Sequence, residues 1–350
     1  MKLLIFSGLS DKKLRSKLAP IIALEKVDKI YLIRNFPLSL PKIQSLKIGQ
    51  LIKIPFLREL AKLCYGYYVA LVKGVDYVIG IYLIPHGILA YIIGKLLHKP
   101  TIQLFVGNDV DFIEKHKKVF KGLLSQAVHI GLRGFQSKQR LNNILKEEHK
   151  FFIHHNVFSL PEINQITSLR TKKTIDIIYI GDFTSVKRID IFLKIIAKLK
   201  KKFPEIRAIM VGGDKKKKFY EKMKTKLKLE TNVRFTGRVM DVYSYLIKSK
   251  LFLMTSEAEG LPMAAIEAMS IGIPCILPRV GDIPDLVQDG HNALLVKPLN
   301  EEAFISKATK LLQNKELYQK ISKAALETIR KKEKEFSLEY NKLLWDKILA

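Results

Sequence analysis

The sequence predicts an α/β protein of two doubly wound domains, each a parallel sheet covered by helices on both faces. Three observations predict it. Short apolar runs of strand length alternate with longer segments of helical spacing along the chain, the pattern of strand–helix units. At 350 residues the chain exceeds what one hydrophobic core usually fills, and its 48% hydrophobic content is ample for two. Between the halves, Leu160 to Lys173 is polar, carries Pro161 and reads as a linker.

In order, Lys2 to Phe6 is a strand ending at Ser7-Gly8, and Asp11 onward is a helix with lysines on its wet face. Ile30 to Ile33 and Leu51 to Ile54 read as further strands. Phe56 to Val72 has the spacing of an amphipathic helix with Arg58, Lys62, Tyr65, Tyr67 and Tyr68, followed by Lys73. It is either an interfacial contact with anionic lipid or a core-facing helix with a solvated basic side. Tyr77 to Ile84 is a strand leading to Pro85-His86-Gly87 and a helix over Ile88 to Leu97, so His86 stands where open α/β sheets place ligands. Thr101 to Val106, Ala127 to Leu132 and Phe151 to His155 complete the first set of strands, with a helix over Ser137 to Leu145. The second half opens with Ile175 to Ile180, the loop Gly181 to Arg188 and a helix over Ile189 to Leu199. Strands at Ile206 to Val211, Val233 to Phe235 and Leu251 to Thr255 follow. Lys215 to Lys218 is a solvated charge run, and Glu301 to Gln313, Leu317 to Arg330 and Phe336 to Leu349 are helices.

Composition narrows the partners. The formal net charge is +28, with 27 basic against 11 acidic side chains in residues 1–172 and 34 against 22 beyond, so both halves favour anionic partners. No arginine-rich tail, zinc-ligand spacing or RNA-binding signature accompanies the charge, and no nucleic acid is expected. Cys64 and Cys275 are too few for a disulfide scaffold or a metal site and fit a reducing cytoplasm. Met1 to Leu9 is shorter than a signal-peptide core and lacks a cleavage site. Val78 to Gly94 is broken by Pro85-His86-Gly87 and reads as strand, loop and helix start rather than a membrane span. The expected location is the cytoplasm, with peripheral attachment to the inner face of the cell membrane as a further expectation.

The stretch that carries chemistry is Ser256 to Val296. Glu259 and Glu267 bracket a Gly260-Leu261-Pro262 turn and the start of an apolar helix, with Pro262 pre-set for the first helical position. Met263 to Met269 is apolar nearly throughout, so Glu267 is expected to be buried and to need a donor, which two adjacent ribose hydroxyls would supply. The free N–H groups and positive dipole end of that helix favour a pyrophosphate. The plainer reading makes Ser256 and Glu259 a capping box, with Glu267 satisfied by an arginine or a backbone amide.

The ordered block Glu259-Gly260-Leu261-Pro262, Glu267-Ala268-Met269, Gly272-Ile273-Pro274, Gly281 and Asp289-Gly290 resembles the donor-site signature of family 4 retaining glycosyltransferases. The resemblance implies the GT-B fold: two doubly wound Rossmann-like domains facing a cleft, with a C-terminal helix returning to the N-terminal domain and Trp345 as its anchor. The implied domains are 1–160 with 336–350 for the acceptor, a linker at 161–173, and 174–335 for the nucleotide-sugar. It implies that Glu259 contacts the transferred sugar, that Glu267 holds the ribose and that Lys187 meets the diphosphate. Gly181, Gly260, Leu261, Pro262 and Val239 then line the donor, Val239 meeting the base through its main chain. Where the family commonly has Arg after the first glycine of that loop this chain has Asp182, and Arg188 is the candidate to restore the charge. Where the family often has His before Gly107 it has Val106, which leaves Asn108, Asp109 and Asp111 as polar candidates beside His86; Asp109 alternatively caps the next helix.

The implied activity is a metal-independent, hexosyltransferase-like enzyme without cofactor. It would move a sugar from a nucleoside-diphosphate sugar to a glycan or lipid-linked acceptor in cell-surface polysaccharide or glycolipid synthesis. The alternatives are a nucleotide-sugar epimerase of the same fold and a non-catalytic scaffold that binds sugar nucleotide or membrane.

Overall fold

The structure, a computed structural model, describes residues 1–47, 52–158, 171–213 and 216–350. It divides into two compact units, Met1–Phe158 with Lys334–Ala350, and Ser159–Glu333.

The first unit holds β1 (Lys2–Ser7), β2 (Lys29–Arg34), β3 (Ile43–Lys47), β4 (Tyr77–Ile81), β5 (Thr101–Leu104), β6 (Ala127–Leu132) and β7 (Phe151–Ile153). They form one parallel sheet in the order β3-β2-β1-β4-β5-β6-β7. Its helices are α1 (Asp11–Ile22), α2 (Pro55–Lys73), α3 (Ile88–Leu97), α4 (Asp109–Lys115), α5 (Lys117–Gln126) and α6 (Phe135–Leu145). Alternation along β1 shows why the strands read as apolar runs. Leu3 and Ile5 pack with Leu14, Leu18 and Ile21 of α1, whereas Leu4 and Phe6 pack with Val69 and Ala70 of α2 and Ile93 of α3.

Three expectations change here. The strand beside β2 is Ile43–Lys47, not Leu51 to Ile54. Leu51 lies outside the described residues, and Ile54 already precedes α2, whose first position is taken by Pro55. Lys17 is not on a wet face: it follows Leu14 by three residues, so it shares the buried side of α1, with its Nζ 3.1 Å from His154 Nδ1. Burial holds its ammonium well below the ordinary lysine range. β4 ends at Ile81, and the chain turns irregularly through Leu83–Gly87 before α3.

The second unit holds β8 (Ile175–Ile180), β9 (Ala208–Val211), β10 (Val233–Gly237), β11 (Ser249–Leu253), β12 (Cys275–Pro278) and β13 (Leu294–Val296). They form a parallel sheet in the order β10-β9-β8-β11-β12-β13. Its helices are α7 (Ile189–Lys200), α8 (Lys217–Lys226), α9 (Tyr243–Leu246), α10 (Met263–Ser270), α11 (Ile283–Leu286), α12 (Glu301–Gln313) and α13 (Lys315–Lys331). Asn300 and Asn314 start α12 and α13 as side-chain caps, their Oδ1 atoms accepting from Ala303 N and Leu317 N at 3.0 and 2.8 Å. The expected linker residues Leu160 to Arg170, and Asp214 and Lys215, lie outside the described residues.

After a short turn, α14 (Glu333–Phe336), the chain closes with α15 (Leu338–Ile348), which packs on α1 of the first unit. Trp345 is buried there, edge-on to Phe152 with ring centroids 5.5 Å apart. Among the described residues no helix is long and apolar enough to cross a membrane.

Candidate functional site

In the second unit the chain runs β8, β9, β10 towards one edge and then returns to place β11 on the other side of β8. The carboxyl ends of β8 and β11 therefore form the topological switch point, where the two outgoing loops diverge and leave room for a ligand. Both loops carry residues the sequence singled out.

They are tied together by the backbone. Glu257 N donates to Val186 O at 2.8 Å, and Thr255 Oγ1 donates to Lys187 O and Arg188 O at 3.1 and 3.0 Å. This brings Lys187 and Glu259, 72 positions apart, into contact: Lys187 Nζ lies 2.5 Å from Glu259 Oε1. Ser256 Oγ donates to the same oxygen at 2.6 Å. The Glu259 side chain is only 7% exposed, so its charge is held by two donors rather than by water. The capping-box alternative falls, because no helix begins at Ser256: the next one starts at Met263, with Pro262 in the capping position.

Two glycines hold the loops by close backbone approach. Gly281 has φ of 53°, and a Cβ there would stand 1.8 Å from Glu259 O. Asp282 N adds a hydrogen bond to Gly260 O at 3.3 Å. Gly212, with φ of 120°, lies against Gly181, where a Cβ would stand 2.1 Å from the carbonyl oxygen.

The remaining predicted donor residues are spread around this pair. Gly260 and Leu261 are buried. Pro262 is the extended residue before α10 rather than its first helical residue, and its carbonyl accepts from Ala265 N and Ile266 N at 3.1 and 3.3 Å. Glu267 is half-buried on the second turn of α10, not buried as expected, because that side of α10 is left partly open. Val239 is half-buried just past β10.

Arg188, in the left-handed conformation before α7, is forked onto Asp190 at 2.8 Å and also paired with Glu257. These carboxylates hold its guanidinium charge in place. Arg238 donates to Asp182 Oδ1 at 3.1 Å and so brings a cation to the loop position where Asp182 stands. Sequence reading missed this pair; its one signal was Arg238 directly after Gly237 at a strand end.

In the first unit the switch point lies between β1 and β4, because β2 and β3 extend one way from β1 and β4 to β7 the other. His86 occupies it. A Cβ on Gly8, just past β1, would stand 2.7 Å from His86 Cε1. The ring is 7% exposed, its Nδ1 has no hydrogen-bond partner among the described residues, and burial with help from the nearby Lys62 charge pulls its pKa down to about 4. It is a neutral imidazole at neutral pH.

Asp109 does not cap α4. Its Oδ2 accepts from Val106 N and Leu83 N at 3.0 and 3.2 Å, clamping the loops after β4 and β5, and burial pushes its pKa up to about 7. Asn108 is exposed ahead of α4. Asp111 pairs with Arg140 at 2.6 Å. Val106, where a histidine was expected from the resemblance, packs half-buried against the core. Among the described residues no group of three His, Cys, Asp or Glu side chains could hold a metal ion.

Residues 161–328 match the family model of glycosyl transferases group 1. An uncharacterized glycosyltransferase of Haemophilus influenzae is 29% identical over 189 residues, covering 54% of this chain and 51% of that protein. The N-acetyl-alpha-D-glucosaminyl L-malate synthase of Bacillus anthracis is 24% identical over 266 residues, 71% of this chain and 68% of that one. The chain thus spans about half the length of the first relative and about two thirds of the second. The crystal structure of Anabaena HepE with UDP and glucose superposes over 100% of both chains with a TM-score of 0.80 at 16% identity, a likeness of fold. The matched span, residues 161–328, includes the β8–β11 loop pair, and what it is similar to is the glycosyl transferases group 1 family.

Proposed function

We propose that the protein is a family 4 retaining glycosyltransferase that moves a sugar from a nucleoside-diphosphate sugar to a glycan or lipid-linked acceptor in cell-surface polysaccharide or glycolipid synthesis. The observation that carries the reading is the Lys187–Glu259 pair at the β8–β11 switch point. Sugar transfer requires a cation for the departing diphosphate and an anion near the sugar as positive charge develops on it. The pair keeps both ready, each compensating the other until substrate arrives. In this reading Lys187 exchanges its carboxylate partner for the diphosphate, helped by the positive dipole end of α10. Glu259, still held by Ser256, then faces the sugar. Glu267, further along α10, receives the ribose hydroxyls, and the Val239 backbone receives the base. No metal or cofactor takes part in this scheme.

His86, neutral and with an Nδ1 that has no hydrogen-bond partner among the described residues, is proposed to meet an acceptor hydroxyl at the first unit's switch point. Since HepE was crystallised with UDP and glucose, UDP is the first nucleotide to test. Calorimetry against UDP, GDP and ADP should show one preferred nucleotide, with binding weakened in Glu267→Ala. Transfer to lipid-linked and free glycans should then give a product whose anomeric configuration matches the donor, read by NMR. Inversion of configuration would remove the retaining assignment. Interconversion of the donor sugar without transfer would favour an epimerase.

A further inference from the structure

The outer face of α2 is built the wrong way round for a helix meeting only water. Its inner side holds little apolar bulk: beside Lys62, which is buried and paired with Glu59 at 2.9 Å, only the side chains of Val69 and Ala70 are buried, and Gly66 lies so near the sheet that a Cβ would stand 2.4 Å from Phe6 Cζ. Its large apolar residues point out. At 3.6 residues per turn Phe56, Leu57, Leu60, Tyr67, Tyr68 and Leu71 share one stripe about 120° wide. Their exposure runs from 37% for Tyr67 to 75% for Phe56, and no charged side chain interrupts the stripe. An ordinary surface helix shows the reverse arrangement, and a continuous exposed apolar stripe on one rigid element marks a docking face.

Charge says what it docks to. Exposed Lys53 and Lys73 bracket α2 at its two ends, and the neighbouring α3 adds exposed Leu96 beside exposed Lys95. The chain carries +28, and residues 1–172 hold 27 basic against 11 acidic side chains. A second copy of so cationic a chain is repelled, whereas an anionic surface is attracted. We infer that the α2 face seats the first unit on an anionic lipid surface, its aromatic and leucine side chains entering the headgroup boundary while the bordering lysines meet lipid phosphates. The helix lies on the membrane and does not cross it, consistent with the lack of a spanning helix among the described residues. The inference is independent of the sugar-transfer reading, because it is tested without donor or acceptor.

The test is flotation of the full chain with vesicles of phosphatidylcholine alone and of phosphatidylcholine with phosphatidylglycerol, comparing wild type with the triple variant Leu60→Ser, Tyr68→Ser, Leu71→Ser. All three positions are exposed, and unchanged circular dichroism and melting temperature establish that the variant folds. Wild type is expected to float with the anionic vesicles only, less so as salt rises, and the triple variant to bind at least about tenfold more weakly. Equal flotation of the two proteins, or none by wild type, overturns the inference. So does a wild-type dimer in light scattering that the triple variant abolishes, which would give the stripe to a second copy.

Discussion

A carboxylate as enclosed as that of Glu259 persists only with donors, and it has two, the Lys187 ammonium and the Ser256 hydroxyl. Removing either leaves a buried acceptor short. Ser256→Ala is expected to cost about 1–2 kcal/mol of stability in denaturant melts. Lys187→Ala is expected to lower the turnover of sugar transfer by about 10²–10³-fold, because it deletes the positive charge facing the leaving diphosphate. A Lys187→Ala protein that turned over at the wild-type rate would remove Lys187 from the chemistry. Asp109 supplies a pH signature. Its pKa of about 7 in the fold, against 3.8 ordinarily, means that the folded protein holds the proton more tightly than the unfolded chain. The stability due to this group is therefore full below about 4 and lost as pH rises through about 7. Asp109→Asn keeps an oxygen for the Val106 and Leu83 amides and does not titrate, so it should gain on wild type by about 1–3 kcal/mol between pH 4 and 8. Parallel pH profiles for the two proteins would refute the assignment.

At the scale of elements, the site depends on turns that carry no functional side chain. Gly281 passes against the Glu259 backbone at a φ that side chains rarely adopt. Gly281→Ala is thus expected to destabilise the second unit by about 2 kcal/mol or more, and to weaken nucleotide binding by displacing the Glu259 loop. Calorimetry and melting of the same sample check both. The helices α12 and α13 were legible to within two residues because their apolar spacing is long and Asn300 and Asn314 mark their starts. α2 was legible as a helix, but its outward apolar stripe was not, since a periodic pattern does not state which side meets the sheet. Only Gly66 against Phe6 settles that. Lys17 was misread for the same reason: its charge suggested water, while its register with Leu14 put it inside.

Over the whole molecule, two parallel sheets with separate cores account for the chain's length and apolar content. The C-terminal helix α15 completes the first of them through Trp345. Trp345→Ala should cost about 3–5 kcal/mol, and hydrogen exchange should rise in α1 and β7 while β8 to β13 are unchanged. Exchange rising equally across both sheets would show that the two units do not melt separately. The alternation of strands and helices, and the Glu259–Glu267 block, were set by local sequence. Strands covered on both faces read as unbroken apolar runs, and that block lies within one loop and one helix. Tertiary structure alone decided the pairs Lys187–Glu259, 72 positions apart, and Arg238–Asp182, 56 apart. Which loops meet depends on the order of strands in the sheet, and that order follows from how the helices pack over it rather than from any short stretch of sequence.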